Sequence, residues 1–173
     1  SNTTLTSIAL NNGVDAAAMT AGNYMTAFDE LEDADTVDVD ILFVPSMTDD
    51  SDQTTLVNDV VATAEARKDC VVAASPPREA IVGVNSGATM NTNVIADANS
   101  YTFSNYLVVD NNFLKVYDKY NDKYIQIPAA SSTAGIMAAT DNNAAPWVSP
   151  AGTRRGNYLG ITSVAYSPTK AQR

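Results

Sequence analysis

From its first residues the chain changes hydrophobic period in a repeating order. "LTSIALNNG" alternates weakly and ends in a turn, which predicts a short strand within residues 5–13. "TAGNYMTAFDELED" then sets Tyr24, Phe28 and Leu31 at helical spacing behind Thr20, a residue suited to cap a helix. In "VDVDILFVP" the run from Asp40 to Val44 becomes apolar without a break, as in a parallel strand buried on both faces. The next stretch, "SMTDDSDQTTLVNDVVATAEARKD", opens on acidic and hydroxyl residues, places Leu56, Val57, Val60, Val61 and Ala64 on one stripe, and closes on Arg67 and Lys68. Acid at the start and base at the end suit the dipole of a helix. "CVVAAS" reads as a second buried strand. Strand, helix and strand at this length form a βαβ unit with a right-handed crossover.

Further along, "PPREAIVGVNSGATMNTNVIADANSY" contains a Pro-Pro break and predicts one more helix, with Met90, Val94, Ile95 and Ala98 on one side. "YLVVDNN" supplies a third core strand, and "FLKVYDKYNDKYIQIP" alternates around the polar tip "DKYND", which predicts a β-hairpin. Pro128, Ser131 and Ser132 open "ASSTAGIMAAT", a helix of side chains small enough to approach a sheet closely. The fold class is α/β: a layered sandwich of two or three layers with a mostly parallel central sheet, flanking helices and an edge β-hairpin.

Composition supports a globule and narrows its partners. Of 173 residues, 45% are hydrophobic and only 17% charged, enough apolar material for one substantial core. No apolar run approaches the roughly 20 residues of a membrane helix, and "SNTTLTSIAL" lacks the regions of a signal peptide. The absence of an initiator methionine, and a stop at Arg173 inside the helix-like start "SPTKAQR", suggest ends cut from a longer polypeptide. A net charge of −10 disfavours nucleic acid, whose binding needs Lys and Arg to displace counterions. The charge is also uneven: residues 1–66 hold thirteen acids and no base, and residues 67–173 hold seven acids and all ten bases. Either the acids form a solvated face, or the two sides of the molecule attract copies of each other.

Candidate chemistry is sparse. Without histidine, His-dependent triads and the usual zinc sites are excluded, and Cys70 in "DCVVAAS" reads as a small core residue. "GVNSG" places Ser86 one position late for a nucleophile elbow, so it reads as a loop before a helix, with a weak alternative as a phosphate cradle. Asp49, Asp50 and Asp52 could ligate a metal but more economically cap the helix that follows them. Tyr117, Tyr120 and Tyr124, beside Lys115, Lys119 and Lys123, are read as cross-strand packing in the hairpin. These readings name no catalytic residue, no cofactor and no metal. The rival they leave is a small α/β ligand-binding or enzyme module using the Ser86 loop or the Asp49/Asp50/Asp52 cluster.

The last fifty residues carry a more specific signal. Ala134 and Gly135 lie in the small-residue helix, followed by Asp141, Pro146 with Trp147, Pro150 to Gly152, the glycine-led stretch Gly160 to Val164, and Pro168 with Thr169. This series resembles the contractile tail sheath proteins of bacteriophages, in wording most like the T-even type. The upstream order of "YMTAFDELE", "VDILFVP" and "CVVAASPP" is similar to the family as well. The resemblance implies a non-enzymatic structural subunit that stacks in hexameric rings around a tail tube and contracts to drive the tube through the host envelope. It implies partners among other sheath copies, tube and baseplate proteins, without nucleic acid or membrane insertion. The implied location is the virion tail, with the host cytoplasm during assembly. The 173-residue chain would be a protease-resistant middle fragment, monomeric in isolation, with residues 1–145 as the middle α/β domain. Residues 146–173 would lead toward a C-terminal core that carries most tube contacts and exchanged strands. For Trp147 two readings coexist: an indole that plugs the domain's own core, or a ring that docks with Arg154 and Arg155 against a neighbouring subunit.

Overall fold

The computed structural model describes residues 19–172, so the strand predicted within residues 5–13 lies outside the described part. Thr20 caps α1 (Ala21–Asp29) through a reciprocal pair of bonds with Asn23. The apolar run forms β1 (Ile41–Phe43), and Asp49 caps α2 (Asp50–Arg67) by accepting from the Asp52 amide at 3.0 Å. Lys68 ends α2 in the left-handed conformation at φ 64°, and the chain turns into β2 (Val71–Ala74). A short α3 (Arg78–Ile81) and the longer α4 (Gly87–Ser100) lead to β3 (Leu107–Val109). All three strands run parallel in the order β1-β2-β3.

Packing follows the predicted stripe of α2. Leu56, Val57, Val60, Val61 and Ala64 are fully buried against Val44, Val72 and Ala74, with Cys70 in the same cluster. Tyr24 and Phe28 of α1 extend that cluster. On the opposite face Ala73 meets Ala130 and Ala134 of α5 (Ala129–Asn143), beside Ile41. Alanine on both sides brings this helix close to the strands, as its composition predicts, and makes the parallel unit three layers deep.

The predicted hairpin forms, as β4 (Phe113–Asp118) and β5 (Lys123–Pro128), with Tyr117 directly opposite Tyr124. It does not continue the parallel sheet. It builds a second, antiparallel sheet, β5-β4-β6, in which β6 (Ile161–Val164) pairs with β4. Both sides of β4 are thus bonded, and Asn112 secures the chain after β6: its amide oxygen accepts from Tyr166 N at 3.0 Å and its amide nitrogen donates to Tyr166 O. Phe113 and Tyr166 pack there with Ala80 and Ile81, against Met90 and Val94 of α4. Ile95 and Ala98, predicted on the same face as Met90 and Val94, are exposed instead.

A candidate interaction surface

Between α5 and β6 the chain makes a compact loop stiffened by Pro146 and Pro150. Gly152 adopts φ 96°, and the Gly156 amide donates to the Gly152 carbonyl at 2.8 Å, closing a tight turn. A β-carbon at Gly156 would lie 3.1 Å from the backbone of Gly152 and 3.2 Å from the carbonyl of Pro150, so any larger residue would have to push the turn's backbone aside. Asn157 bonds back to the Thr153 carbonyl at 2.7 Å, and the Tyr158 hydroxyl meets Thr133 of α5 at 2.9 Å. Arg154 and Arg155 ride on this turn, exposed, and border a cleft of about 360 Å³ with Thr140, Asn143 and Ala144 at the C-terminal end of α5. No acidic side chain pairs with either arginine among the described residues; the ion pair there is Arg67 with Asp69.

Trp147 is not the core plug that a lone tryptophan between prolines suggests. Its ring is 86% exposed, and Leu159, on the far side of the turn, is 90% exposed. The physical reason is that both cores are closed without it: Leu56 and Val60 fill one, Phe113 and Tyr166 the other. The loop therefore presents an indole, a leucine and two guanidinium groups to solvent, residue types that dominate binding energy at protein interfaces in the case of Trp and Arg.

A second polar region forms where α2, α3 and α4 meet. Two clefts of about 420 and 300 Å³ share Asp50, Ala96 and Asp97; Ser100 lines the first and Glu79 the second. Asp97 is 5% exposed and is the one fully buried residue of α4. One of its carboxylate oxygens has no hydrogen-bond partner. Burial first, then the neighbouring Asp50 and Glu79 carboxylates, push its pKa up to about 6. The sequence reading missed this residue. The stripe Met90, Asn93, Val94, Asp97, Tyr101 was the available signal, because helical spacing from Met90 and Val94 runs through Asp97 rather than Ala98.

Residues considered for a ligand are engaged structurally. The Ser86 hydroxyl accepts from the Thr89 amide at 3.3 Å as the cap of α4, and Asp49 caps α2. In parallel α/β folds ligands bind beyond the carboxyl ends of the strands. Here that space is filled from within. The fully buried Gln53 donates to the Ser75 carbonyl at 3.0 Å and accepts from the Met47 amide at 2.6 Å, and Ser75 Oγ accepts from the Ala130 amide at 3.0 Å. Two of the three hairpin tyrosines pack across the strands as predicted: the rings of Tyr117 and Tyr124 lie 5.3 Å apart, with Lys115 Nζ 4.8 Å from the centre of Tyr124, whereas Tyr120 at the tip is exposed, with Lys119 over its ring. No group of three or more Cys, Asp or Glu side chains among the described residues is arranged to hold a metal ion, and no described helix is long and apolar enough to cross a membrane.

No protein-family profile matches the chain. Curated relatives do. The tail sheath protein of Enterobacteria phage T4 is 37% identical over 177 aligned residues, covering 96% of this chain and 27% of that protein. The tail sheath protein of Vibrio phage KVP40 is 34% identical over 65% of the chain and 18% of its own length, and that of Salmonella phage ViI is 39% identical over 62% and 17%. The chain thus spans between 17% and 27% of the length of these relatives. Along nearly all of its own length, the chain belongs with the tail sheath proteins of phages.

Proposed function

We propose that the chain is part of a structural subunit of a contractile phage tail sheath. The observation that carries this reading is the alignment with the T4 tail sheath protein across 96% of the chain. In this reading residues 1–145 are the middle α/β domain of a longer sheath polypeptide. Residues 146–173 are the segment leading toward its C-terminal core, tied back to the domain through β6. The full-length protein stacks as hexameric rings around the tail tube, in contact with tube and baseplate proteins. It assembles in the host cytoplasm, resides in the virion tail, and contracts to drive the tube through the envelope. No catalysis is required, because repacking of a metastable polymer supplies the work. The exposed Trp147, Arg154 and Arg155 are its candidate contacts with neighbouring subunits or domains.

The internal filling of the crevice by Gln53 and Ser75 favours this reading over a ligand-binding module. Sedimentation tests it. The full-length protein expressed alone should form polymers that pellet, while the 173-residue chain stays monomeric near neutral pH. A soluble full-length protein that remains monomeric at every concentration would count against the reading. So would a melting shift of the chain with magnesium, calcium or a nucleotide, since a ligand at 100 times its Kd stabilises by about 2.7 kcal/mol.

A further inference from the structure

The notch between α2, α3 and α4 combines features that a purely structural junction does not require. Its floor is a buried aspartate with an unpartnered oxygen, its rim carries Asp50 and Glu79, and both are exposed. The charged groups that act on Asp97 from α2 and α3 are both acidic, so no base among the described residues neutralises it. On the same molecule the turn at residues 152–156 holds two adjacent cations with no acid paired to them among the described residues. The hairpin lysines are differently placed: Lys115 and Lys119 lie over Tyr124 and Tyr120 at 4.8 and 5.0 Å, and Lys123 stands opposite Asp118 in the strand register.

We infer that the notch formed by Asp50, Glu79 and Asp97 receives Arg154 and Arg155 of a second copy of the chain. This rests on the sheath reading above and names the receptor for its basic turn. Folding has already stripped water from Asp97, so an incoming cation does not meet that cost again, which is the usual obstacle to a buried ion pair. Guanidinium suits the role because it is weakly hydrated and presents a planar fork to a carboxylate. Two clefts meeting at Asp97 give two seats for two neighbouring side chains. Because turn and notch are different patches of one molecule, the contact is head-to-tail, and repetition closes a ring or propagates a helix.

Charge reversal in the full-length protein tests the contact. One variant carries Arg154→Glu and Arg155→Glu, the other Asp50→Arg and Glu79→Arg, and melting curves establish that each is folded. Each alone should need at least about tenfold more protein to polymerise than the wild type. Mixed in equal amounts they should co-polymerise near the wild-type concentration, since every turn then finds a notch of opposite charge. Should the basic-notch variant fail to fold, Asp50→Asn with Glu79→Gln replaces it, and the expected result is weakened polymerisation with reduced salt dependence. Polymerisation of either variant alone at the wild-type concentration overturns the inference, as does a mixture of folded variants no better than its components. A wild-type protein that never polymerises would instead overturn the sheath reading itself.

Discussion

Gln53 Nε2 lies 3.0 Å from the Ser75 carbonyl oxygen, joining the first turn of α2 to the residue after β2 in the interior of the domain. Its Oε1 accepts from Met47 N at 2.6 Å, so one side chain satisfies two backbone groups from different segments. Gln53→Leu keeps the volume but strands both groups without water. It should lower folding stability by about 2 to 4 kcal/mol in chemical denaturation of the chain. A loss within experimental error would show that the groups find other partners.

Arg67 does comparable work at the other end of α2. Its guanidinium donates to the carbonyls of Leu31 at 2.5 Å and Val37 at 2.9 Å, and its Nε to Asp69 at 2.9 Å. The hydrogen bond with Asp69 raises the arginine's pKa and holds the aspartate's below the ordinary range. Lysine cannot reproduce a fork with three targets, so Arg67→Lys should resemble Arg67→Ala. Hydrogen exchange should show faster exchange of the Leu31, Glu32, Thr36 and Val37 amides in both variants, while the amides of β2 change little.

Asp97 sets a pH dependence. Its pKa near 6 exceeds the ordinary 3.8, so the folded domain holds the proton more tightly than the unfolded chain. Its favourable contribution is complete below about pH 4, declines as pH rises through 6, and is lost above that. Asp97→Asn should therefore raise stability at pH 7.5 by about 1 to 3 kcal/mol, and flatten the pH profile between 4 and 7. Denaturant midpoints at several pH values measure both effects. A variant less stable than wild type at pH 7.5 would show that the ionised carboxylate is satisfied in solution.

Trp147→Ala should change the stability of the isolated chain by less than about 0.5 kcal/mol, because the ring is 86% exposed and fills no core. In the full-length protein the same substitution should weaken polymerisation if the ring contacts a neighbour, as proposed. Thermal melting of the chain and light scattering of the full-length variant separate the two effects. A large loss of stability would restore the core-plug reading.

The parallel unit was legible because its information is local. The α2 stripe, the Asp49 cap and the uninterrupted apolar runs before and after it each state their environment within a few residues. The second sheet was not, since β6 joins β4 across more than forty residues and nothing in "GITSV" names its partner. Polar burial was hidden for a related reason. Gln53 and Asp97 sit at helical spacing from apolar neighbours, but residue type alone places glutamine and aspartate outside. Trp147 misled in the opposite direction: its size argues for burial, and only the closure of both cores by other side chains shows that none is needed. For the interaction surface, sequence gave the arginine turn through its glycines and prolines, whereas the notch needed three helices brought together.

Electron microscopy of the full-length protein expressed alone tests the central claim most directly. The account predicts hollow tubes of stacked rings, wide enough to enclose a tail tube and formed without any other phage component. A well-folded, soluble full-length protein that yields no ordered polymer across protein and salt concentrations would contradict it.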